Sequence, residues 1–283
     1  MADMVNRYQV KRWTKSVITH SFLFIVALTC LFPLFWMVRC SLMSQETVFV
    51  DKSLLPSELH FENFYLAWTK GNFGQYFLNS MIYTISVVIG IVTISSLAAF
   101  AFSRLNFPGK NIFFYMFVAA MMIPLPGSFV PLTVLMTKLG WINTRHGYIL
   151  CMINVGLSLS ILMLKTFFDR MPPDLEDAAR IDGCSKLGIW RHVALPMARP
   201  AIAVIVIFNS LNVWNEYILA MLLLNQKSLM PLQRGIMEFQ GVHSVDYPLL
   251  MSGLTISAAP IVIVYLFMQK HIIKGLSSGA VVG

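Results

Sequence analysis

The sequence predicts an all-α, polytopic membrane protein with six transmembrane helices and both termini in the cytoplasm. Three observations carry this. The 283 residues are 57% hydrophobic and only 12% charged, with a mean hydropathy of +0.69. Soluble domains are about half apolar and about a quarter charged, so lipid must replace water over much of this exterior. Six apolar runs approach the ~20 residues needed to cross a bilayer. Only one of them contains a charged residue, Glu216.

The elements follow in order. Residues 1–16 are a basic cytoplasmic segment. The first apolar run, 17–38, opens a region 17–77 that also holds an outer loop. A core at 78–270 carries the runs 78–102, 112–135, 147–164, 201–224 and 249–268. A cytoplasmic tail, 271–283, closes the chain. The first run has the basic start of a signal peptide. Its length and the bulky Phe35, Trp36, Met37, Val38 and Arg39 argue against cleavage, so an uncleaved anchor is expected. With the N-terminus inside, 14 of the 21 Lys and Arg residues fall on the cytoplasmic side, as the positive-inside bias requires. The net charge of +8 thus reports topology, and no nucleic-acid partner is expected.

Pro124, Pro126, Gly127 and Pro131 lie in the third run. Proline removes a backbone donor and kinks a helix. A broken helix beside a cavity and a plain structural kink both fit. Cys30, Cys40, Cys151 and Cys184 are scattered. Neither they nor His192 and His243 stand at metal-ligand spacing, so no metal site is expected.

The polar stretch 169–200 between runs four and five reads as helix, turn, helix. Asp174 can cap a first helix whose opening turn holds Glu176 and Asp177. Gly183 suits a left-handed stop, Ser185 can cap a second helix, and Pro196 ends it. Ala178 and Ala179 give the first helix a smooth face, and Leu187, Trp190, Val193 and Leu195 give the second a packing face. Such a hairpin can dock a partner protein or lie on the membrane surface.

This stretch resembles the EAA loop of the membrane subunits of ABC importers. The loop pattern is Glu-Ala-Ala, three residues, Gly, nine residues, Ile, any residue, Leu-Pro. It is met by Asp177-Ala178-Ala179, Gly183, Val193 and Leu195-Pro196 at every spacing, with Asp for Glu at 177 and Val for Ile at 193. Trp214-Asn215-Glu216-Tyr217 is similar to the Trp-Asn-Glu-Phe element of maltose-type carbohydrate permeases. The ending from Lys274 to Gly283 resembles their Gly-Leu-Thr-x-Gly-Ala-Val-Lys-Gly tail, with Val282 in place of Lys. The resemblance covers the chain from about residue 79 onward, and the first run more loosely.

The resemblance implies a type I importer permease fold in a bacterial inner membrane. It implies a homologous second permease subunit as heterodimer partner, two ATP-binding subunits and an extracytoplasmic solute-binding protein. Glu176, Asp177, Ala178, Ala179, Asp182, Gly183, Leu195 and Pro196 would couple to the ATPase. The outer loop 225–247, through Gln233, Arg234, Glu238 and Gln240, would meet the binding protein. Gly275 and Gly279 would let the tail reach the ATPase interface. The chain has no GxxxxGK[ST] phosphate loop, so ATP and magnesium belong to partner subunits, no cofactor is expected here, and the chain is not an enzyme.

Residue spacing adds a substrate path. Asn209, Asn212 and Glu216 share one face of an unbroken helix, and an intramembrane carboxylate normally faces protein or water. Asn212, Trp214, Asn215, Glu216 and Tyr217 are therefore the candidates for a path or gate for a carbohydrate, with Asn209 more suited to bonding between helices. Two alternatives stand beside this reading. One is an ABC importer subunit for peptides or polyamines. The other is a stand-alone secondary transporter or channel with Glu216 as its proton or cation site.

Overall fold

The structure is a computed structural model that describes residues 2–123, 125–239 and 245–280. It is all-α, with thirteen α-helical segments among the described residues, in two compact units. The first unit spans 1–70 and 239–256; the second spans 71–238 and 257–283.

In the first unit, α1 (Ala2–Ser41) is a single long helix that contains the expected first run. Its C-terminal end is built around Arg39, which is buried at 2% exposure. The guanidinium donates to Ser53 O and Asp51 O, both at 2.8 Å, and to Met43 Sδ at 3.0 Å. It also lies 4.5 Å over the Trp36 ring. One side chain with five fixed donors thereby ties the segment that follows back to the end of the helix. Helix α2 (Glu62–Lys70) is tied to the same end, because the Asn63 amide donates to Ser41 O and Met43 O. The Asp51 carboxylate accepts from the hydroxyl and backbone N–H of Ser53. These bonds hold its pKa below the usual carboxylate value, with Arg39 helping.

The second unit is organised by α3 (Phe73–Arg104), followed by α4 (Lys110–Ala120) and α5 (Leu125–Lys138), and by α6 (Arg145–Asp169). Helices α3 and α6 pack closely through small residues. A Cβ on Gly90 would meet Ile153 Cδ1 at 2.5 Å, and one on Gly156 would strike Ile91 and the Asn209 side chain. Apolar transfer offers no drive between helices in lipid, so such close approach supplies the packing. The core joins Val87, Ile91 and Phe100 to Met152, Leu164 and Phe168.

Next come α7 (Asp174–Ile181), α8 (Lys186–Ile189), a π-turn at Trp190–Ala194 and α9 (Leu195–Met197). Then follow α10 (Arg199–Asn215), α11 (Ile218–Leu223) and α12 (Leu232–Ile236). Helix α13 (Tyr247–Ala280) runs through both units.

Four helices among the described residues are long and apolar enough to cross a membrane, and a fifth span results if Lys186–Met197 and Arg199–Asn215 are joined across their 76° bend. Two of the six expected runs are broken. The third divides into α4 and α5 around residues 121–124, of which Pro124 lies outside the described residues. Pro126 falls in the first turn of α5, where a missing N–H costs no helical bond. The fifth run breaks after Asn215. The tail expected from 271 continues α13 as helix to Ala280, so Gly275 and Gly279 are helical positions; 281–283 lie outside the described residues.

Candidate functional site: a surface hairpin and a broken helix

The hairpin starts after Pro172 and Pro173, which end the run of α6. Asp174 does not cap α7; it occupies the first turn with Glu176 and Asp177, and Pro173 is the cap position. Acidic groups are favourable there regardless, because they face unpaired N–H groups. Gly183, at φ 80°, makes the left-handed stop that an L side chain would resist. Ser185 caps α8 by accepting from Gly188 N at 3.2 Å. Pro196 does not end the second helix. It has no N–H to give, the turn before it widens to the π form, and the Leu195 N–H reaches Trp190 O. The helix stops two residues later at Ala198, and the chain turns by 76° into α10.

The two faces of α7 differ. Glu176 and Ala179 point inward and are buried at 5% and 7% exposure. Ala179 belongs to the core with Ile189, Ala194 and Ala198. The outer face presents Leu175, Ala178 and Ile181, spaced i, i+3, i+6, with Leu187 exposed on α8. Asp177 is exposed and pairs with Arg180 at 3.1 Å. Asp182, the C-cap residue of α7, is exposed, and Leu195 and Pro196 are half-buried. The smooth surface expected from both alanines is therefore supplied by Ala178 alone.

Glu176 makes the strongest contact of the hairpin. Its Oε1 lies 2.7 Å from Arg104 Nε, an ion pair held outside aligned hydrogen-bond geometry. Arg104 Nη2 also donates to Phe168 O at 2.6 Å and Met171 O at 2.5 Å. No motif in the sequence marks Arg104, which lies among the 14 basic residues expected on the cytoplasmic side.

The second constellation surrounds the break in the fifth run. Glu216 takes extended backbone at φ −71°, ψ 127°. Its carboxylate turns onto the next helix: Oε1 accepts Leu219 N at 2.6 Å and Oε2 accepts Ala220 N at 3.0 Å. The Tyr148 hydroxyl donates to Oε2 at 3.2 Å. A carboxylate that receives the free amides of a new helix favours the break. The expected unbroken face of Asn209, Asn212 and Glu216 is thus corrected. Asn209 is buried and donates to Ser160 Oγ at 3.2 Å and Ile205 O at 2.8 Å, which bonds two helices of the same chain.

Asn212 and Asn215 are exposed. Trp214 is buried, donates from Nε1 to Ser257 O at 3.1 Å, and sits edge-on to Phe77, so it is a packing residue. The Tyr217 hydroxyl contacts Met221 Sδ at 3.2 Å.

The segment after α11, expected as an outer loop, is fastened to α3. Asn79 Nδ2 donates to Ser228 O and Met230 O at 2.9 and 3.0 Å, and Tyr83 donates to Leu229 O at 2.8 Å. Ser80 Oγ accepts Leu232 N at 2.8 Å. Gly235 lies flat on Tyr76, leaving no room for a Cβ. Gln233 is half-buried and donates to Ser257 Oγ at 2.9 Å and, weakly, to Asn215 Oδ1 at 3.5 Å, so two residues assigned to different partners lie side by side. Arg234 is half-buried. Glu238 has its backbone in a 3₁₀ turn, Met237–Phe239; Gln240 and His243 lie outside the described residues. Asn79 and Tyr83 escaped the sequence reading because they sit inside an apolar run with no motif around them. Among the described residues no cluster of His, Cys, Asp and Glu could hold a metal.

Comparison with known proteins places this arrangement. Residues 91–278 match the family model of the binding-protein-dependent transport system inner membrane component. The chain is 35% identical to the probable ABC transporter permease protein YurM of Bacillus subtilis, over 93% of this chain and 87% of that one. It is 31% identical to the diacetylchitobiose uptake system permease protein NgcG of Streptomyces coelicolor, over 93% and 88%. Among solved structures, a bacterial ABC transporter involved in the import of the acidic polysaccharide alginate superposes with a TM-score of 0.79 at 25% identity, covering 90% of this chain and 95% of that one. The chain therefore belongs to the family of inner membrane components of binding-protein-dependent transport systems, the permease subunits of ABC importers.

Proposed function

We propose that this chain forms half of the translocation path of an ATP-driven carbohydrate importer and receives its drive through the hairpin at 174–197. The observation that carries the coupling is the two-faced α7. Its inner face is locked to the chain by Glu176 and Ala179, while Leu175, Ala178 and Ile181 stand exposed beside Leu187. An exposed apolar strip on a helix outside the bilayer fits a partner groove. Two ATP-binding subunits, carrying ATP and magnesium, would seat it. Six membrane crossings with both termini cytoplasmic, a homologous second permease and an extracytoplasmic binding protein complete the reading.

Carbohydrate as the solute rests on the relatives, one named for diacetylchitobiose uptake and one for alginate import, and on the Trp214-Asn215-Glu216 element. The exposed amides of Asn212 and Asn215, the latter with Gln233 beside it and its Nδ2 already donating to Leu211 O, offer donors and acceptors of the kind sugar hydroxyls require. The capping role of Glu216 weighs against a lone proton or cation site, because its oxygens already accept from Leu219, Ala220 and Tyr148.

The test is uptake by vesicles holding this chain with its co-encoded partners, given a panel of oligosaccharides, peptides and polyamines. The expected result is sugar uptake that needs both ATP and the binding protein. ATP-dependent uptake of peptide or polyamine alone would replace the solute class. Uptake driven by an ion gradient without ATP would overturn the importer reading.

A further inference from the structure

We propose that Arg104 is a positioning residue for energy coupling, delivering movement of the hairpin to the two longest helices of the second unit; this rests on the importer reading above. Arg104 is the last residue of α3. Its side chain is 16% exposed and that of Glu176 is 7% exposed, so the pair is shielded from the screening that weakens surface ion pairs. The guanidinium is a rigid fork. One edge meets Glu176 Oε1 at 2.7 Å, and Nη2 meets the carbonyls of Phe168 and Met171 at the end of α6. Three segments therefore converge on one side chain: the end of α3, the end of α6 and the inner face of α7.

Neighbouring groups reinforce the joint without reproducing it. Ser103 donates to Asp169 at 2.7 Å, and Lys165 pairs with the same carboxylate at 2.7 Å, but both bonds link α3 or α6 to the end of α6 alone. Arg180 reaches Glu176 only at 3.8 Å and is 59% exposed. The hairpin also joins the core through Ala179, Ile189, Ala194 and Ala198, with Cys184, Trp190 and Val193 packed against it. Apolar contacts of that kind are non-directional and tolerate sliding. Arg104 adds a short, shielded ion pair to α7 and two directional bonds to the end of α6, so a push on α7 is passed to α3 and α6 as one body. If one partner is lost, the other charge is left in a shielded site, and the hairpin can move without carrying the helices.

The experiment uses the complete importer in proteoliposomes and reads solute imported per ATP hydrolysed, normalised to assembled complex. Arg104→Lys keeps the charge but cannot span the carboxylate and both carbonyls. Arg104→Gln removes the charge. The expected result is a fall of about tenfold in the import-to-hydrolysis ratio for both, with partial recovery when Arg104→Glu is combined with Glu176→Arg. A ratio equal to wild type overturns the proposal, even where less complex assembles, because that is the signature of a purely structural pair. If Arg104→Gln yields no complex, the ratio in Arg104→Lys decides. Wild-type import that proceeds without ATP overturns the importer reading itself and the proposal with it, and is told apart by needing no variant.

Discussion

The Tyr148 hydroxyl donates to Glu216 Oε2 at 3.2 Å, bridging residues 68 positions apart. The same carboxylate accepts the first free amides of α11. The acid is thereby placed to stabilise the break in the fifth run. Glu216→Ala removes all three bonds and should cost about 1–2 kcal/mol for the cap alone. Glu216→Gln keeps one carbonyl acceptor and should fall between. Tyr148→Phe should cost about 1.5–3 kcal/mol, as a bond to a charged group. Thermal unfolding of the detergent-solubilised complex measures all three; a Glu216→Ala variant as stable as wild type would dismiss the capping role.

Gly235 allows the segment after α11 to lie against Tyr76. A methyl at that position must displace the ring or the backbone, a cost of about 1–3 kcal/mol by overpacking. Asn79→Ala strips the donors from Ser228 O and Met230 O. Both variants should raise protease cleavage between 225 and 236, and Gln233→Ala, which loses the bond to Ser257 but keeps both of these anchors, should raise it less.

Ala178 and Ala179 should respond differently to one substitution. Ala178→Arg adds a long charged side chain on the exposed strip, and the ATP-binding subunit should no longer copurify while the permease stays folded. Ala179→Arg forces the same charge into the core beside Ile189 and Ala194 and should lower the yield of folded permease. If neither variant disturbs ATPase copurification, the hairpin is not the docking element.

Asp51 sets a pH limit on the outer segment of the first unit. Hydrogen bonds from Ser53, with help from Arg39, depress its folded pKa below the ordinary 3.8. Its contribution is therefore fully present above 3.8 and is lost as pH falls through the depressed value. The hydrogen-exchange protection factors of residues 51–57, corrected for the intrinsic pH dependence of exchange, should be constant down to about pH 4 and fall below it, and Ser53→Ala should move that fall to higher pH. An identical profile in the two proteins would exclude the Ser53 bond as the cause.

Membrane residence, the helical class and the hairpin were legible in the chain itself. Apolar runs declare helices because lipid leaves backbone groups no other partner. Gly183 and Ser185 announced their turn and cap because the required φ and the capping oxygen are properties of single residues. Those features are local, and a sequence states local features directly. The interruption of the fifth run was hidden. An acid in an apolar segment reads as a site, and only the folded chain reveals that its carboxylate turns back onto Leu219 and Ala220 while Tyr148 arrives from α6. The fastening of residues 228–232 to Asn79, Ser80 and Tyr83 was hidden for the same reason, because it joins positions some 150 apart through backbone carbonyls that no motif records. Which alanine of the hairpin faces out, and which acid faces Arg104, depended on the direction from which α7 meets the ends of α3 and α6. The sequence by itself determined that a helical hairpin follows α6. Tertiary structure decided its inner and outer faces, because a helix acquires an inside only when something packs against it.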